Sequence, residues 1–283
     1  MSDFLDTMRA GSEARSAEAQ RSLPLADLEA RTADMPPPPA LRVGFDRFDI
    51  IAEIKRRSPA EGALADRSAN VPREIAERAL CYARGGACAI SVLTEPSRFD
   101  GDLSHVSVAS AAVESLGVPV MRKDFLTDPY QVFEARAAGA GGILLITRML
   151  SDASLSEMID VAEQLGLFVL IEAFDADDLA RSQALALSRE RHPLVGINTR
   201  DLTTLDVDPE RLSKHAPSFD HRLLSVAESG VGNVQDACRI VSMGYRVALI
   251  GTALMRAKMP TMFLESMLTI ARASGIHPEP GHS

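Results

Sequence analysis

Short apolar runs recur along the chain between residues 49 and 250, and most are rich in β-branched side chains. Runs of this kind, without regular polar alternation, are typical of strands in a parallel sheet, which are buried on both faces. Their starting points lie 24 to 39 residues apart, which leaves room for one helix after each strand. The predicted strands are Asp49–Ile54, Cys88–Leu93, Val118–Met121, Gly142–Ile146, Phe168–Ile171, Leu194–Ile197, Leu223–Ala227 and Val247–Ile250.

The segments between these runs have the spacing of amphipathic helices, as in Gln131–Arg136 and Leu155–Ala162. Eight strand–helix units in succession, with no glycine-rich dinucleotide turn, predict an α/β fold of the (β/α)8 TIM-barrel type. The alternative is an open, doubly wound parallel sheet.

Two segments flank the predicted barrel. Residues 1–48 are predicted to form an N-terminal helical extension and a proline-rich linker, because the run Pro36–Pro39 closes a segment with helical spacing. The catalytic barrel is predicted over residues 49–273. Residues 274–283 are predicted to form a flexible tail.

Composition narrows the classes of function. With 46% hydrophobic and 24% charged residues, the chain resembles an ordinary globular protein. Its net charge of −9 argues against a nucleic-acid partner, which normally meets a basic surface. Cys81, Cys88 and Cys238 match no metal-binding spacing and are predicted to be reduced. No membrane-spanning or secretory segment is visible, so we expect a cytoplasmic protein with no membrane partner.

Charged and amide side chains follow the apolar runs of most predicted strands. In a (β/α)8 barrel the carboxyl ends of all strands meet at one mouth, where the chemistry takes place. Glu53 and Lys55 are two positions apart and therefore face the same side. Buried charges are costly unless they are paired or functional, so their convergence favours an active site. The predicted cluster comprises Glu53, Lys55, Lys123, Glu172, Asn198, Arg200 and Glu228.

Small and hydroxyl-bearing residues end the last two strands, as Ser229-Gly230 and Gly251-Thr252. Such residues allow backbone N–H groups to approach an anion at the start of a helix. Arg200 or Lys55 would supply the countercharge. The pattern predicts a phosphate-binding corner.

At these residues the chain resembles the indole-3-glycerol phosphate synthase family, and the resemblance spans about residues 49–256. The N-terminal helical extension is also typical of that family. Taken in order, the matching motifs are specific: they are Ile51–Pro59, Ser91–Glu95, Arg122–Phe125, Gly196–Leu202, Ala227–Gly230 and Ile250–Arg256.

The resemblance implies a carbon–carbon lyase (carboxy-lyase) of tryptophan biosynthesis. It would close the ring of 1-(2-carboxyphenylamino)-1-deoxyribulose 5-phosphate with loss of CO2 and water, and it would use no cofactor and no metal. Lys123 would be the general acid and Glu172 the base. Lys55 would hold the anthranilate carboxylate, and Glu53 would orient the lysines.

The resemblance also implies how the substrate is held. Asn198 and Glu228 would contact the sugar hydroxyls and the lysine network, and Ser58 belongs to the substrate-binding set. The phosphate would bind to Arg200, Ser229, Gly230, Gly251 and Thr252. The aromatic ring would lie between Phe99, Phe125 and Leu144.

The chemistry itself suggests a property of Lys123. Ring closure onto a carbonyl needs a proton donor that acts near neutrality. A lysine crowded by Lys55 and partly desolvated is expected to have its pKa lowered toward that range.

Several positions depart from the family pattern, namely Ala60, Asp102, Gly141 and the segment 64–72. We interpret the segment 64–72 as a reshaped lid. They leave open a paralogue that acts on a modified substrate in secondary metabolism. Two further alternatives are a Schiff-base lyase on a sugar phosphate, using Lys123 or Lys55 as the nucleophile, and a non-catalytic barrel in a tryptophan-pathway complex. Beyond a small phosphorylated aromatic substrate, the expected partner is a second copy or another tryptophan-pathway enzyme.

Overall fold

A barrel of parallel strands forms the centre of the molecule. The computed structural model describes residues 3–65, 70–201, 204 and 206–275. Within these ranges eight strands close into a barrel, each pairing in parallel with its sequence neighbours and the last pairing with the first. In chain order the strands are β1 (Asp49–Ile54), β2 (Ala89–Leu93), β3 (Val120–Lys123), β4 (Gly142–Ile146), β5 (Phe168–Ala173), β6 (Leu194–Asn198), β7 (Ser225–Glu228) and β8 (Val247–Ile250). The predicted TIM barrel is confirmed, and the open sheet is excluded.

Three strands have the predicted bounds, while the others differ mainly at their ends. β3 was predicted to end at Met121 but runs to Lys123, because Leu93 of β2 and Lys123 are paired in the ladder. β6 similarly includes Asn198, which pairs with Glu228 of β7. Lys123 and Asn198 interrupt the apolar runs from which the strands were predicted, but both residues remain paired with a neighbouring strand. Several candidate site residues therefore lie on the barrel wall and not in loops.

Helices surround the barrel in the order expected of repeated βα units. Two of them, α1 and α2, precede β1 and confirm an N-terminal helical extension. The helices of the described ranges are α1 (Asp3–Ser22), α2 (Leu25–Ala33), α3 (Val71–Arg84), α4 (Pro96–Phe99), α5 (Ser104–Val113), α6 (Tyr130–Ala137), α7 (Asp152–Gln164), α8 (Ala176–Leu187), α9 (Glu210–His215), α10 (Val234–Ser242), α11 (Thr252–Arg256) and α12 (Pro260–Gly275).

Side-chain caps begin several of these helices. Asn70 accepts a hydrogen bond from the backbone N–H of Arg73 at 3.2 Å, which satisfies one of the open donors of the first turn of α3. Pro72 near the same start is compatible with a first helical turn. Part of the segment 64–72, interpreted as a lid, is therefore the start of α3, and residues 66–69 lie outside the described residues.

The extension is packed against the barrel through apolar side chains. Leu5 and Met8 of α1 and Leu28 of α2 are buried. The proline-rich linker follows and contacts the barrel, since Arg136 of α6 donates a hydrogen bond to the carbonyl of Pro36. The division at residues 48 and 273 stays a prediction. At the other end α12 continues to Gly275, and the rest of the predicted tail lies outside the described residues.

No helix in the described part of the chain is both long and apolar enough to cross a bilayer.

The first strand position of β4 has no room for a side chain. Gly142 pairs with Phe168 of β5, and a Cβ atom at Gly142 would overlap the Phe168 ring. We expect Gly142→Ala to destabilise the protein by about 1–3 kcal/mol through overpacking. Urea unfolding gives the value, and the cost should fall in a Phe168→Leu background. An equal cost in both backgrounds would show that the ring is not the obstacle.

Candidate active site

A cavity of about 530 Å³ opens at the carboxyl ends of the barrel strands. This volume lies in the range of small-molecule sites. All fifteen residues proposed from the sequence line it, although they come from segments spread over some 200 residues. They are Glu53, Lys55, Ser58, Phe99, Lys123, Phe125, Leu144, Glu172, Asn198, Arg200, Glu228, Ser229, Gly230, Gly251 and Thr252.

Lys123 and Glu172 form the central ion pair of the cavity. The Lys123 Nζ atom donates a hydrogen bond to Glu172 Oε2 at 2.7 Å. The other carboxylate oxygen of Glu172 accepts a hydrogen bond from the Asn198 side-chain amide at 3.0 Å. Side chains from three strands, β3, β5 and β6, thus fix one carboxylate between an ammonium and an amide. Asn198 was expected to contact sugar hydroxyls, and in this structure its amide orients Glu172.

A second ion pair joins Glu53 and Lys55 on the first strand and its extension. Lys55 Nζ lies 2.8 Å from Glu53 Oε1, as the alternation of side chains predicts. Burial alone would raise the pKa of Glu53, but Lys55, Lys123 and Arg200 together lower it below its ordinary value. Gly251 is required here, because a Cβ atom at that position would overlap the Glu53 carboxylate.

Glu228 is the third buried carboxyl group, and its environment differs from the other two. Its Oε2 atom lies 3.6 Å from Lys123 Nζ, and neither of its oxygens accepts a hydrogen bond from the described residues. Burial, followed by the nearby charge of Glu172, raises the pKa of Glu228 well above its ordinary value against the opposing effect of Lys123. Gly196 on β6 leaves the space that this carboxyl group occupies.

The pKa of Lys123 is raised, whereas the sequence suggested that it would be lowered. Burial is the largest effect and lowers the pKa, but the carboxylates of Glu172, Glu228 and Glu53 together outweigh it. The three glutamates around the ammonium group, and not crowding by Lys55, set the direction of this pKa shift. Lys123 is therefore protonated at neutral pH, in the state that a proton donor requires.

The proposed phosphate corner has an unusual backbone conformation. Ser229 and Gly230 both have positive φ angles, of 66° and 73°. A serine rarely adopts this conformation, and such strain is concentrated at functional sites. Gly251 and Thr252 follow the neighbouring strand β8 at the start of α11, and Arg200 also lines the cavity. The backbone N–H of Arg200 donates to Asn198 Oδ1 at 2.9 Å, which links the corner to the central ion pair.

Apolar side chains form the wall away from this corner. Phe99 and Phe125 lie with their ring centroids 6.2 Å apart, and Leu144 is buried in β4. Phe4 of α1 lies edge-on to Phe125 at 5.9 Å and also lines the cavity. Sequence reasoning missed Phe4. An aromatic side chain near the start of a polar helix was the one indication in the sequence. No nearby sequence feature indicates that this side chain packs beside the end of β3.

Other lining residues were also missed. Some lie in loops without apolar periodicity, and others, such as Leu93 and Ile250, are apolar strand residues that carry no chemical signal. Glu61 and Arg256 form an ion pair across the mouth. Ser58 lies near them in a small hairpin that pairs Arg57–Ser58 with Gly62–Ala63. Further lining residues are Pro59, Leu93, Asp124, Ile146, Val207, Val231, Gly232, Asp236, Leu249, Ile250 and Ala253.

Three of the four departures from the family pattern do not line the cavity, although Ala60 stands between Pro59 and Glu61, which do. Ala60 and Asp102 are exposed, and Asp102 accepts a hydrogen bond from the backbone N–H of Ser104 at 2.8 Å. Gly141 precedes β4 at the opposite end of the barrel, close to Pro39 and Pro119. None of the three is among the described residues that line the cavity. Among the described residues no cluster of His, Cys, Asp and Glu could hold a metal ion.

The fold and the ionised groups at its mouth define a (β/α)8-barrel enzyme. The sequence profile of the family described as indole-3-glycerol phosphate synthase matches residues 5–267. This chain belongs to that family.

Two curated relatives illustrate the similarity. The indole-3-glycerol phosphate synthase of Nocardioides sp. is 43% identical over 254 residues, covering 89% of this chain and 93% of the relative. The enzyme of the same name from Leifsonia xyli is 41% identical over 255 residues, again covering 89% and 93%.

Solved structures share the fold at low sequence identity. Thiamine phosphate pyrophosphorylase from Pyrococcus furiosus matches with a TM-score of 0.58 at 16% identity, covering 81% of this chain and 98% of that chain. KGPDC from Streptococcus mutans matches with a TM-score of 0.60 at 8% identity, covering 81% and 99%. These likenesses support the barrel fold.

Glu228 gives a prediction about pH. When folding raises the pKa of a carboxyl group, the folded state binds the proton more tightly than the unfolded state does. The stability that results is fully present below the unfolded pKa and is lost as pH rises through the folded pKa. Glu228→Gln removes this dependence, so the variant should gain stability relative to the wild type between pH 5 and pH 8. Urea midpoints at both pH values measure the difference. A constant difference between the two proteins would contradict the raised pKa.

Proposed function

We propose that this protein catalyses the indole-3-glycerol phosphate synthase reaction with the residues described above. The substrate is 1-(2-carboxyphenylamino)-1-deoxyribulose 5-phosphate, and the products are indole-3-glycerol phosphate, CO2 and water. The observation that carries the proposal is the cavity itself. It has an aromatic wall at one side, a strained backbone corner at the other, and the Lys123–Glu172 pair between them.

The cavity offers a complementary region for each part of the substrate. The phosphate binds to Ser229, Gly230, Gly251, Thr252 and Arg200, where backbone N–H groups and a guanidinium are available. The aromatic ring binds between Phe99, Phe125 and Leu144. The ring carboxylate binds to Lys55, while Ser58 and Asn198 lie along the chain that connects the two ends.

Lys123 donates the protons that the reaction consumes. The ring carbon that carries the carboxylate attacks the carbonyl carbon of the sugar chain, and the carbonyl oxygen takes a proton from Lys123. Loss of CO2 returns the bonding electrons to the ring. Lys123 then regains a proton from solvent water. The resulting hydroxyl group takes this second proton and leaves as water, with the aniline nitrogen supplying the electron pair. Because its pKa is raised, Lys123 is protonated when the reaction begins.

Glu172 accepts the proton that must finally leave the carbon next to nitrogen, so that the new ring becomes aromatic. Its contacts fit that role, because the 2.7 Å bond to Lys123 allows a proton to pass between the two groups. Glu228 lies 3.6 Å from the same ammonium and would adjust its charge environment. Glu53 acts on Lys55 in the same way.

The alternatives are less compatible with these contacts. A Schiff-base mechanism needs a neutral, nucleophilic amine, whereas Lys123 is paired with Glu172 and has a raised pKa. Borohydride treatment in the presence of substrate should therefore trap no covalent adduct. A paralogue with a modified substrate would need an altered cavity, and Ala60, Asp102 and Gly141 do not line it.

The cellular setting is part of the proposal. The three cysteines form no disulfide, which fits a cytoplasmic location with its reducing conditions. The acidic net charge fits a protein without a nucleic-acid partner. Association with a second copy, or with another enzyme of tryptophan biosynthesis, stays a prediction that sedimentation velocity can test.

Lys123→Ala tests the assignment of the general acid. We expect kcat to fall by a factor of about 10² or more, because both protonations lose their donor. Indole fluorescence follows product formation, and Lys258→Ala, which removes an exposed lysine outside the cavity, serves as the control. An undiminished kcat in Lys123→Ala would refute the assignment, and a wild type that binds the substrate without turning it over would refute the proposed reaction.

A further inference from the structure

Helix α1 contributes directly to the aromatic wall of the cavity. Phe4 in its first turn lies edge-on to Phe125, which in turn lies beside Phe99. The three rings come from three separate segments: α1, the loop after β3, and the short helix α4. Their arrangement therefore depends on how these segments are held together.

Arg15 of α1 contacts two of the loops behind this wall. Its Nη2 atom donates a hydrogen bond to Asp124 Oδ1 at 2.8 Å, and its Nη1 atom lies 3.9 Å from Glu95 Oε1. Arg15 itself is not among the described residues that line the cavity. It can therefore influence a bound molecule only through the groups that it holds.

Asp124 connects Arg15 to the third strand. It is buried, and it stands between Lys123 and Phe125 in the sequence. Its Oδ1 atom also accepts a hydrogen bond from the backbone N–H of Phe125 at 2.8 Å, and its Oδ2 atom accepts one from Thr94 at 2.7 Å. The carboxylate thus fixes the backbone at the point where the chain turns from the general acid to the aromatic wall.

Glu95 connects Arg15 to the second aromatic ring. It is buried and caps α4, accepting hydrogen bonds from the backbone N–H groups of Ser97 at 2.8 Å and Arg98 at 2.7 Å. Helix α4 has only four residues and ends at Phe99. The position of this cap therefore sets the position of the ring.

We propose that Arg15 is a positioning residue for the aromatic ring of the substrate. It holds Asp124 and Glu95 against α1. In this way it fixes the positions of the Phe125 and Phe99 rings relative to Phe4. The inference rests on the proposed function, because it takes the substrate ring to be the occupant of this wall. A misplacement of a binding group by about 1 Å is enough to cost a large part of the rate.

Other contacts keep α1 in place without Arg15. Leu5 and Met8 are buried against the barrel, and Ser12 accepts a hydrogen bond from the side-chain amide of Gln131 at 2.9 Å. The Arg15 side chain is itself 32% exposed. Arg15→Ala should therefore fold with α1 still docked, and its effect should be confined to the loops.

The test compares ligands with and without the ring in Arg15→Ala. Indole-3-glycerol phosphate carries both the ring and the phosphate, whereas glycerol 3-phosphate carries the phosphate end alone. With turnover followed by CO2 release, we expect KM and the Ki of the indole compound to rise about tenfold. The Ki of glycerol 3-phosphate should change less than about twofold, since the phosphate corner is untouched.

Two further variants separate positioning from a general loss of structure. Arg15→Lys keeps one charge near Asp124 and should recover part of the affinity for the indole compound. Arg21→Ala removes an exposed arginine from the same helix, paired with Glu18, and should match the wild type. Thermal unfolding of each variant verifies that α1 and the barrel remain folded.

The outcomes distinguish the inference from the proposed function. Absence of turnover by the wild type would overturn the proposed function, and this inference with it. Turnover by the wild type, together with unchanged Ki values in Arg15→Ala, would overturn the inference alone. An equal rise of both Ki values would also overturn it, because the effect would then not be specific to the ring.

Discussion

Charge balance within the barrel mouth is the constraint on which the site depends. Two ammonium groups, the Arg200 guanidinium and three carboxyl groups meet there, and the three carboxyl groups are buried. An unpaired buried charge would cost several kcal/mol. Lys55 and Glu53 compensate each other, as do Lys123 and Glu172. Glu228 lies 3.6 Å from the Lys123 ammonium without a hydrogen bond, and burial together with the charge of Glu172 raises its pKa.

This balance also depends on the barrel wall, because several of the ionised groups are part of it. Lys123, Asn198 and Glu228 belong to strands, so the hydrogen-bonded ladder that closes the barrel also sets the distances between them. A loop would allow such groups to move apart and become solvated. The rigid wall keeps them at distances where each alters the protonation of the others.

Much of this arrangement was predictable from the sequence, since it follows from two regularities. Apolar runs at even spacing predict the barrel, and the barrel brings every strand end to one mouth. The positions of Glu53, Lys123, Glu172 and Asn198 follow directly. The pKa of Lys123 could not be predicted in the same way, because its direction depends on the number of carboxylates around one atom. Phe4 could not be placed either, because its contact with Phe125 joins residues more than one hundred positions apart.

Gly196 and Gly251 have a consequence for how this site can change during evolution. Each glycine occupies the place where a Cβ atom would overlap a buried carboxyl group, that of Glu228 for Gly196 and that of Glu53 for Gly251. A larger residue at either position displaces the opposing glutamate side chain from its present place, unless that glutamate has first been shortened. A substitution that enlarges either position therefore also moves a carboxyl group of the cavity, so the glycine and its opposing glutamate do not change independently.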